Sequence, residues 1–300
     1  MNIFGMITSG PAEAYTREAL HTFFQHTSLR DRDQFFLIDN DQSFAAPPNP
    51  RVRVLRNPAH LGFAANVNQV MRLAREHKAD LFFLNNDLIF TPHWLPPLLV
   101  RDPVVLSPLS NFQLPYPYAN FDCKPVLDLA DYQGHEKDLD QIVYQHQATI
   151  RGYRPECKVA FFCIKIPFAV YDAIGFLDEE FGNCGGEDFD YCIRCHQAGF
   201  RIMYALDSYI LHFMGKTTWR GGELSADRQG REQKYFQAFR KKWGYLLANL
   251  MITGKAHGLS SNEPFLESWT EGNFQKAVDL ILQMDKMTQS ADSLQPSAGK

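Results

Sequence analysis

Three acids, Glu187, Asp188 and Asp190, crowd directly after Gly185-Gly186. An apolar pattern then begins with Phe189, Cys192 and Ile193, so the acids fall on the first turn of a helix entered through a flexible loop. The dipole and free N–H groups of a helix start stabilise negative charge, which is one adequate reason for acids there. A positioned general base is the other. That second reading gains weight from an acid placed far away in the chain, Asp87, in the run Asn85-Asn86-Asp87. A carboxylate and an amide two residues apart can share a hard divalent ion, Mg²⁺ or Mn²⁺, which takes one or two carboxylates plus substrate phosphates and waters. The chain has no GxxxxGK[ST] or GxGxxG motif to cradle a diphosphate by backbone alone. A metal-bridged diphosphate is therefore the natural arrangement.

The elements that must position these residues alternate. Apolar runs at 3–8, 35–38, 52–55, 81–84 and 104–106 read as strands, and 13–26 and 63–76 carry helical periodicity. Strands that are apolar throughout and alternate with helices imply an α/β fold with a mostly parallel sheet covered on both faces. Ligands bind beyond the C-terminal ends of such strands. Three of those ends carry polar groups: Thr8-Ser9, Asp39-Asn40-Asp41 and Asn85-Asn86-Asp87. For any one cluster a turn is the commoner explanation, but three together favour a site.

Further along, 110–134 is rich in Pro, Tyr and Asn, the composition of a lid or binding loop. Helices are expected at 139–150, from Pro167 to near Gly175, at 228–243 and at 274–287. Strands are expected at 159–166, 202–205 and 209–213, and a disordered tail at 288–300.

Composition bounds the function. The 300 residues are 45% hydrophobic and 13% aromatic, which suits a globular chain with a sizeable core. Lys and Arg number 30 against 34 Asp and Glu, a net charge of −4, so the basic footprint of sequence-independent nucleic-acid binding is missing. No apolar run approaches the ~20 residues of a membrane span. The start, Met1-Asn2-Ile3-Phe4-Gly5, lacks the pattern of a secretory signal, and a cytoplasmic location is expected. Six cysteines suit a reduced compartment. Cys192-Ile193-Arg194-Cys195-His196 has the spacing of c-type haem attachment, and Cys184, Cys192, Cys195 and His196 together are a conceivable zinc set. Buried helix cysteines are the favoured reading.

At this point the chain resembles nucleotide-sugar-dependent glycosyltransferases of the GT-A fold, in the family-two group that includes rhamnosyltransferase-like enzymes. The resemblance covers about residues 1–245 and rests on six pieces in order. They are Asn57-Pro58-Ala59-His60-Leu61-Gly62-Phe63-Ala64-Ala65-Asn66-Val67-Asn68, then Leu84-Asn85-Asn86-Asp87, then Gly175-Phe176-Leu177-Asp178-Glu179-Glu180-Phe181. Gly186-Glu187-Asp188-Phe189-Asp190-Tyr191-Cys192 follows, then the strand and His at 209–215 and the Lys-Trp-Gly helix end at 235–244. His60 stands where the group usually has Asn, Ala64-Ala65-Asn66 replace a Gly-rich run, Asn85 replaces a first Asp, and Leu177 is inserted.

The resemblance implies a GT-A domain over 1–245, with a nucleotide-sugar-binding half (1–108) and an acceptor and catalytic half (109–245). A helical extension at 246–287 and the tail would follow. It implies an inverting transfer in which Asp188, beside Glu187, deprotonates an acceptor hydroxyl. Thr8, Ser9, Asp39, Gly62, Asn68, Asn85 and Asn86 would bind the nucleotide sugar, with Asp39 on the base. Asp87 and His212 would hold Mn²⁺ or Mg²⁺. Gly185-Gly186 would leave backbone room for the acceptor. A UDP- or dTDP-sugar is the favoured donor. The acceptor stays open between a glycan, a lipid-linked sugar, a protein and a modified nucleic-acid base. Tyr116, Tyr118, Phe121 and Trp219 are candidates to stack on sugar rings, with core packing the better default. The basic helix bearing Arg228, Arg231, Lys234, Arg240, Lys241 and Lys242 reads first as a solvated face, and second as a contact for an anionic acceptor or a peripheral membrane surface. Two other functions fit the same sheet: a sugar-phosphate nucleotidyltransferase, and a non-catalytic nucleotide-sugar-binding protein. The first usually opens with a Gly-rich basic loop, whereas Thr8-Ser9-Gly10-Pro11 has no Lys or Arg before Arg17. The intact Asp87/Asp188 pair argues against the second.

Overall fold

A computed structural model describes residues 1–45, 47, 49–116, 121–216, 225–256 and 258–293, and the side chains of all of these except 225–227 and 288–293. Tyr118, Trp219 and residues 294–300 lie outside the described residues. The first half follows the expected alternation: β1 (Asn2–Thr8), α1 (Glu13–His26), β2 (Gln34–Asp39), β3 (Val52–Arg56), α2 (Phe63–Glu76), β4 (Asp80–Leu84) and β5 (Leu88–Ile89). Then come β6 (Val105–Ser110), α3 (Leu129–Tyr132), α4 (Glu136–Thr149), β7 (Tyr153–Pro155), β8 (Cys163–Ile166) and α5 (Phe168–Ile174). The chain continues through α6 (Glu187–Gln197), β9 (Ile202–His212), α7 (Ser225–Trp243), α8 (Tyr245–Ala248), a π-turn (Asn249–Thr253), α9 (Glu263–Thr270) and α10 (Phe274–Ser293).

Among the described residues the strands form one sheet in the order β3-β2-β1-β4-β8-β6-β9-β5, with β7 alongside β9. β1, β2, β3 and β4 run parallel, as expected, and β6 runs parallel to β9. β8 is antiparallel to both β4 and β6. The strand ends Thr8, Leu84, Ser110 and His212 therefore share one edge. The inner strands put alternate residues on opposite faces. Ile3, Phe36 and Phe83 share a core with α2, whereas Phe4, Phe35 and Phe82 share one with α1 and Trp94.

β5, β7, α3, α8 and α9 have no counterpart in the sequence reading, β6 runs on past 106 to Ser110, and three further elements differ from it. The strand expected at 159–166 is confined to β8, because the preceding residues run along α6 instead. The two strands expected at 202–205 and 209–213 are one, β9, carried across its interruption by a register shift opposite Pro108/Leu109. α10 continues to Ser293, into the stretch expected to be disordered. Within the extension, Leu246 N–H donates to Asp285 Oδ2 at 3.0 Å, and Lys158 Nζ donates to the Met251 carbonyl across its boundary with the domain. No helix among the described residues is long and apolar enough to cross a membrane.

Candidate active site

The turn after β4 carries Asp87, and β5 then pairs with the end of β9 so that Leu88 lies opposite His212. Phe213 N–H donates to the Asp87 carbonyl at 3.0 Å, which closes this corner. The result sets Asp87 Oδ1 3.3 Å from His212 Nε2, both buried, and apart from each other neither has a hydrogen-bond partner. Two buried ligand atoms facing each other suit an ion pair when His212 is protonated, and a cation bound by both when it is neutral. Burial pushes the Asp87 carboxyl up, but the His212 charge and the Lys216 backbone N–H, 3.2 Å from Oδ2, hold it below its ordinary value. Among the described residues no group of three or more His, Cys, Asp or Glu is placed to hold a metal. A two-ligand set leaves positions for substrate phosphates and water, as Mg²⁺ and Mn²⁺ sites commonly do.

Sequence reading missed the residues that hold His212. Asn111 Oδ1 accepts the His212 backbone N–H at 2.7 Å, and its amide donates to the His212 carbonyl at 3.2 Å and to the Lys124 carbonyl at 2.8 Å. The His212 ring stacks on Phe162, with centroids 4.9 Å apart. Ser110-Asn111 is a polar strand end like the other three, and that signal was available before it was absorbed into the loop at 110–134.

The donor-side residues fall into two groups. Thr8 and Asn86 meet through α1: Thr8 Oγ1 lies 2.6 Å from Thr16 Oγ1, which accepts the Asn86 amide at 2.9 Å. Asp39 pairs in register with Thr8 and Ser9 follows at the same edge, but Asp39 is 0% exposed. Its carboxylate accepts the Ser43 and Phe44 N–H groups, both at 3.2 Å, and meets Arg56 Nε at 3.4 Å, so it shapes the 39–44 turn. Asn85 N–H donates to the Phe162 carbonyl at 2.7 Å.

Gly62 and Asn68 both meet the segment that leads into α6. Asn68 clamps residues 177–179, its amide donating to the Leu177 carbonyl at 2.9 Å and Glu179 Oε1 at 2.7 Å while its oxygen accepts the Leu177 N–H at 2.9 Å. A Cβ at Gly62 would stand 2.5 Å from the Gly182 carbonyl oxygen, and Phe63 N–H donates to Asn183 at 2.7 Å. The motif at 57–68 thus docks the first half onto the loop that leads into α6.

α6 feeds β9 from the opposite edge of the sheet, so its N-terminus points back to the edge where β9 ends. Of its three acids, Glu187 and Asp190 are buried and Asp188 is partly exposed. Glu187 Oε2 accepts the Gly185 N–H at 2.6 Å and so pins the entry loop. Burial and the neighbouring Asp188 charge push the Glu187 carboxyl up. Burial also raises the Asp188 carboxyl, against backbone N–H groups of Phe189 and Phe161 that favour its charge. Asp188 is thus the reachable acid of the three, with a carboxyl raised by burial. The dipeptide Phe161-Phe162 joins the two chemical groups, facing Asp188 on one side and touching Asn85 and His212 on the other.

Asp190 is a tie. It is 0% exposed and takes Arg194 Nε at 2.9 Å, Lys242 Nζ at 2.7 Å and Trp243 Nε1 at 2.7 Å. Arg194 also donates to the Ile174 and Phe176 carbonyls at 3.0 and 2.9 Å. The acidic motif and the Lys-Trp-Gly helix end are therefore two sides of one contact.

Two expectations change here. Gly185 has φ +122° and a Cβ there would lie 2.4 Å from the Tyr235 ring, so the space beside it is filled by α7 rather than left for an acceptor. Gly185→Ala should lower the melting temperature by several degrees, since both the backbone and the ring oppose it; an unchanged melting curve would refute this reading. The basic helix is not simply solvated either: Arg231 donates to the Cys184 carbonyl at 3.2 Å, and Lys242 meets Asp178 at 2.5 Å as well as Asp190. Tyr116 and Phe121 pack inward, with Tyr116 Oη 2.5 Å from His146 Nδ1 and the Phe121 ring stacked on His135. Cys192 and Cys195 are buried free thiols, raised far above their usual range by burial, and His196 Nε2 bonds the Cys157 carbonyl at 2.9 Å.

Residues 13–101 match the model of glycosyl transferase family 2. No curated protein sequence matches the chain significantly. Among solved structures, GalNAc-T7 with UDP, GalNAc and Mn²⁺ aligns with a TM-score of 0.57 at 15% identity, covering 99% of this chain and 58% of that one. This chain thus spans little more than half of the GalNAc-T7 chain. A mannosyltransferase from Pyrobaculum calidifontis, solved with GDP-Man and Mn²⁺, aligns with a TM-score of 0.47 at 12% identity over 95% of this chain and 87% of that one. TarS 1–349 of S. aureus, with UDP-GlcNAc, gives 0.48 at 10% identity over 93% and 90%. The chain has the GT-A glycosyltransferase fold, and its residues 13–101 carry the signature of glycosyl transferase family 2.

Proposed function

We propose that this protein transfers a sugar from a nucleotide-diphosphate donor to an acceptor hydroxyl, with inversion at the anomeric carbon. The observation that carries the reading is the facing pair Asp87 Oδ1 and His212 Nε2, buried with no partner but each other, one Phe-Phe dipeptide away from the reachable Asp188. Asp87 and His212 would hold Mn²⁺ or Mg²⁺, which supplies Lewis-acid stabilisation of charge on the leaving phosphate. Asp188 accepts the acceptor hydroxyl's proton at its carboxylate, and the oxygen attacks the anomeric carbon from the face opposite the leaving group. Buried Asp39 keeps the turn at the end of β2 in shape beside the donor. A UDP- or dTDP-sugar is the donor class favoured here, supported by the UDP and Mn²⁺ in the GalNAc-T7 structure.

Thermal shift tests the donor half of this proposal. UDP-, dTDP-, GDP- and CMP-sugars are screened with and without Mn²⁺ or Mg²⁺, because a ligand of the native state raises the melting temperature by mass action. One nucleotide class should give a metal-dependent rise of several degrees, and Asp87→Ala should lose it. A shift of equal size in Asp87→Ala, or one indifferent to metal, would remove the metal role. No shift with any donor would remove the transferase reading.

A further inference from the structure

The chain leaves β9 through a tight turn wrapped around Asp87. Phe213 N–H donates to the Asp87 carbonyl at 3.0 Å, and three residues later Lys216 N–H donates to Asp87 Oδ2 at 3.2 Å. Between them Met214 and Gly215 are both left-handed, at φ +59° and +70°. Glycine takes that conformation freely, but methionine holds it only where its surroundings impose it. The side chains at either end of the turn supply that constraint. The Phe213 ring lies against Tyr15 of α1 and Tyr132 of α3, with centroids 5.2 and 6.2 Å away. The Lys216 side chain is 9% exposed, and a buried ammonium has to be paired. Its Nζ donates to Asp128 Oδ1 and stands 5.6 Å from the centre of the Tyr15 ring. Asp128 is itself fixed at the start of α3, where its N–H donates to Asp131 Oδ2 at 2.8 Å. Tyr15 Oη donates to Asp128 Oδ1 at 3.4 Å and accepts the Leu129 N–H at 3.3 Å. One residue thus presents its backbone to Asp87 and its charge to Asp128.

We propose that Lys216 is a positioning residue for Asp87: its ammonium, locked on Asp128 beside Tyr15, holds its backbone N–H against Asp87 Oδ2 and leaves Oδ1 directed at His212 and the metal. This rests on the reading of Asp87 and His212 as the metal pair. A carboxylate gripped at one oxygen offers the other in a fixed plane, and here that other oxygen lies 3.3 Å from His212 Nε2. Without the lock on Asp128 the turn can relax from its left-handed residues, the N–H can leave Oδ2, and the carboxylate can rotate. A ligand set that is competent for only part of the time loses affinity by that fraction. The lock joins three distant stretches of chain, since Tyr15 comes from α1, Asp128 from the segment entering α3 and Lys216 from the turn after β9. The loop at 110–134 thereby bears on the metal corner through Asp128, without touching the metal.

The experiment titrates the full chain with UDP and with GDP in a calorimeter, each with and without Mn²⁺, and takes the ratio of the two affinities for the nucleotide that binds. Lys216→Met removes the charge and keeps the length. Asp128→Asn removes the anion and keeps a side chain suited to a helix start. Each should lower the ratio by about threefold or more, and the double variant should fall no further than Lys216→Met alone. Lys216→Arg should keep the ratio near wild type. Asp128 is exposed, so Lys216→Met strands no buried charge and should move the melting temperature by no more than about 2 °C. A purely structural role would shift the melting temperature and scale both affinities together, leaving their ratio in place. An unmoved ratio in both Lys216→Met and Asp128→Asn overturns the proposal. Asp87→Ala should bring the ratio to one. A ratio retained in Asp87→Ala, or a wild type without metal dependence for either nucleotide, overturns the metal pair itself, an outcome separate from the variants at 216 and 128.

Discussion

Asp188→Asn should lower sugar transfer by roughly 10²–10⁴-fold, the usual worth of a general base. Donor affinity should change little, because Asp188 stands apart from the Asp87/His212 pair and the substitution keeps the side chain's shape. The Phe189 N–H, now 2.8 Å from Asp188 Oδ1, can bond the Asn oxygen as it bonds the carboxylate, so α6 keeps its start. The pH dependence of the wild type follows from the same environment. Burial raises the Asp188 carboxyl, and only its ionised form can take a proton. The rate should therefore be full above that raised value and fall as pH drops through it, at a higher pH than for an exposed aspartate. A pH–rate profile with single-turnover assays measures both points; near-wild-type turnover in the variant would leave the base unassigned.

The largest effect on stability should come from Asp190→Ala. The substitution takes one carboxylate from Arg194, Lys242 and the Trp243 N–H, which share it at 2.9, 2.7 and 2.7 Å; Arg194 keeps the Ile174 and Phe176 carbonyls and Lys242 keeps Asp178, but the buried Trp243 N–H loses its acceptor. Removing one partner of a buried charge cluster costs about 3–5 kcal/mol, and the remaining partners put this one at the low end, about 3 kcal/mol. For a chain of this size that is a fall in melting temperature of roughly 10 °C. Asp190→Asn should lie between, since its oxygen still accepts from Trp243 while the net charge is lost. Trp243→Phe should cost less, about 1–3 kcal/mol, because Asp190 keeps its two cations. Calorimetry on the three variants gives the order; equal melting temperatures for Ala and wild type would show that the cluster contributes nothing.

Much of the fold was legible because it rests on local signals. The apolar runs that became β1, β2 and β4 ended in polar residues, and the shared strand direction put those ends on one edge. Asp87 and His212, 125 positions apart in the chain, were paired only through the family resemblance, and pairing of Leu88 with His212 provides the physical reason. What stayed hidden depends on partners distant in sequence. Periodicity cannot show that Tyr235 fills the space beside Gly185, nor that Asn68 spends its whole amide on Leu177 and Glu179. The strip at 157–161 has the apolar content of a strand, yet its carbonyls meet Cys192 and His196 on α6. Nor can periodicity show that Lys158 Nζ donates to the Met251 carbonyl of the π-turn almost a hundred residues later.

The continuity of the sheet limits how such a protein can diversify. β8, from the second half of the domain, lies between β4 of the first half and β6, and the proposed metal pair takes one ligand from each side of residue 108. A recombination crossover there would draw Asp87 and His212 from different parents and seat β4 against a foreign β8. Under the proposed function, donor and acceptor preferences are therefore not freely exchangeable cassettes. Substitutions in the loops at the strand ends would alter them against an unchanged frame.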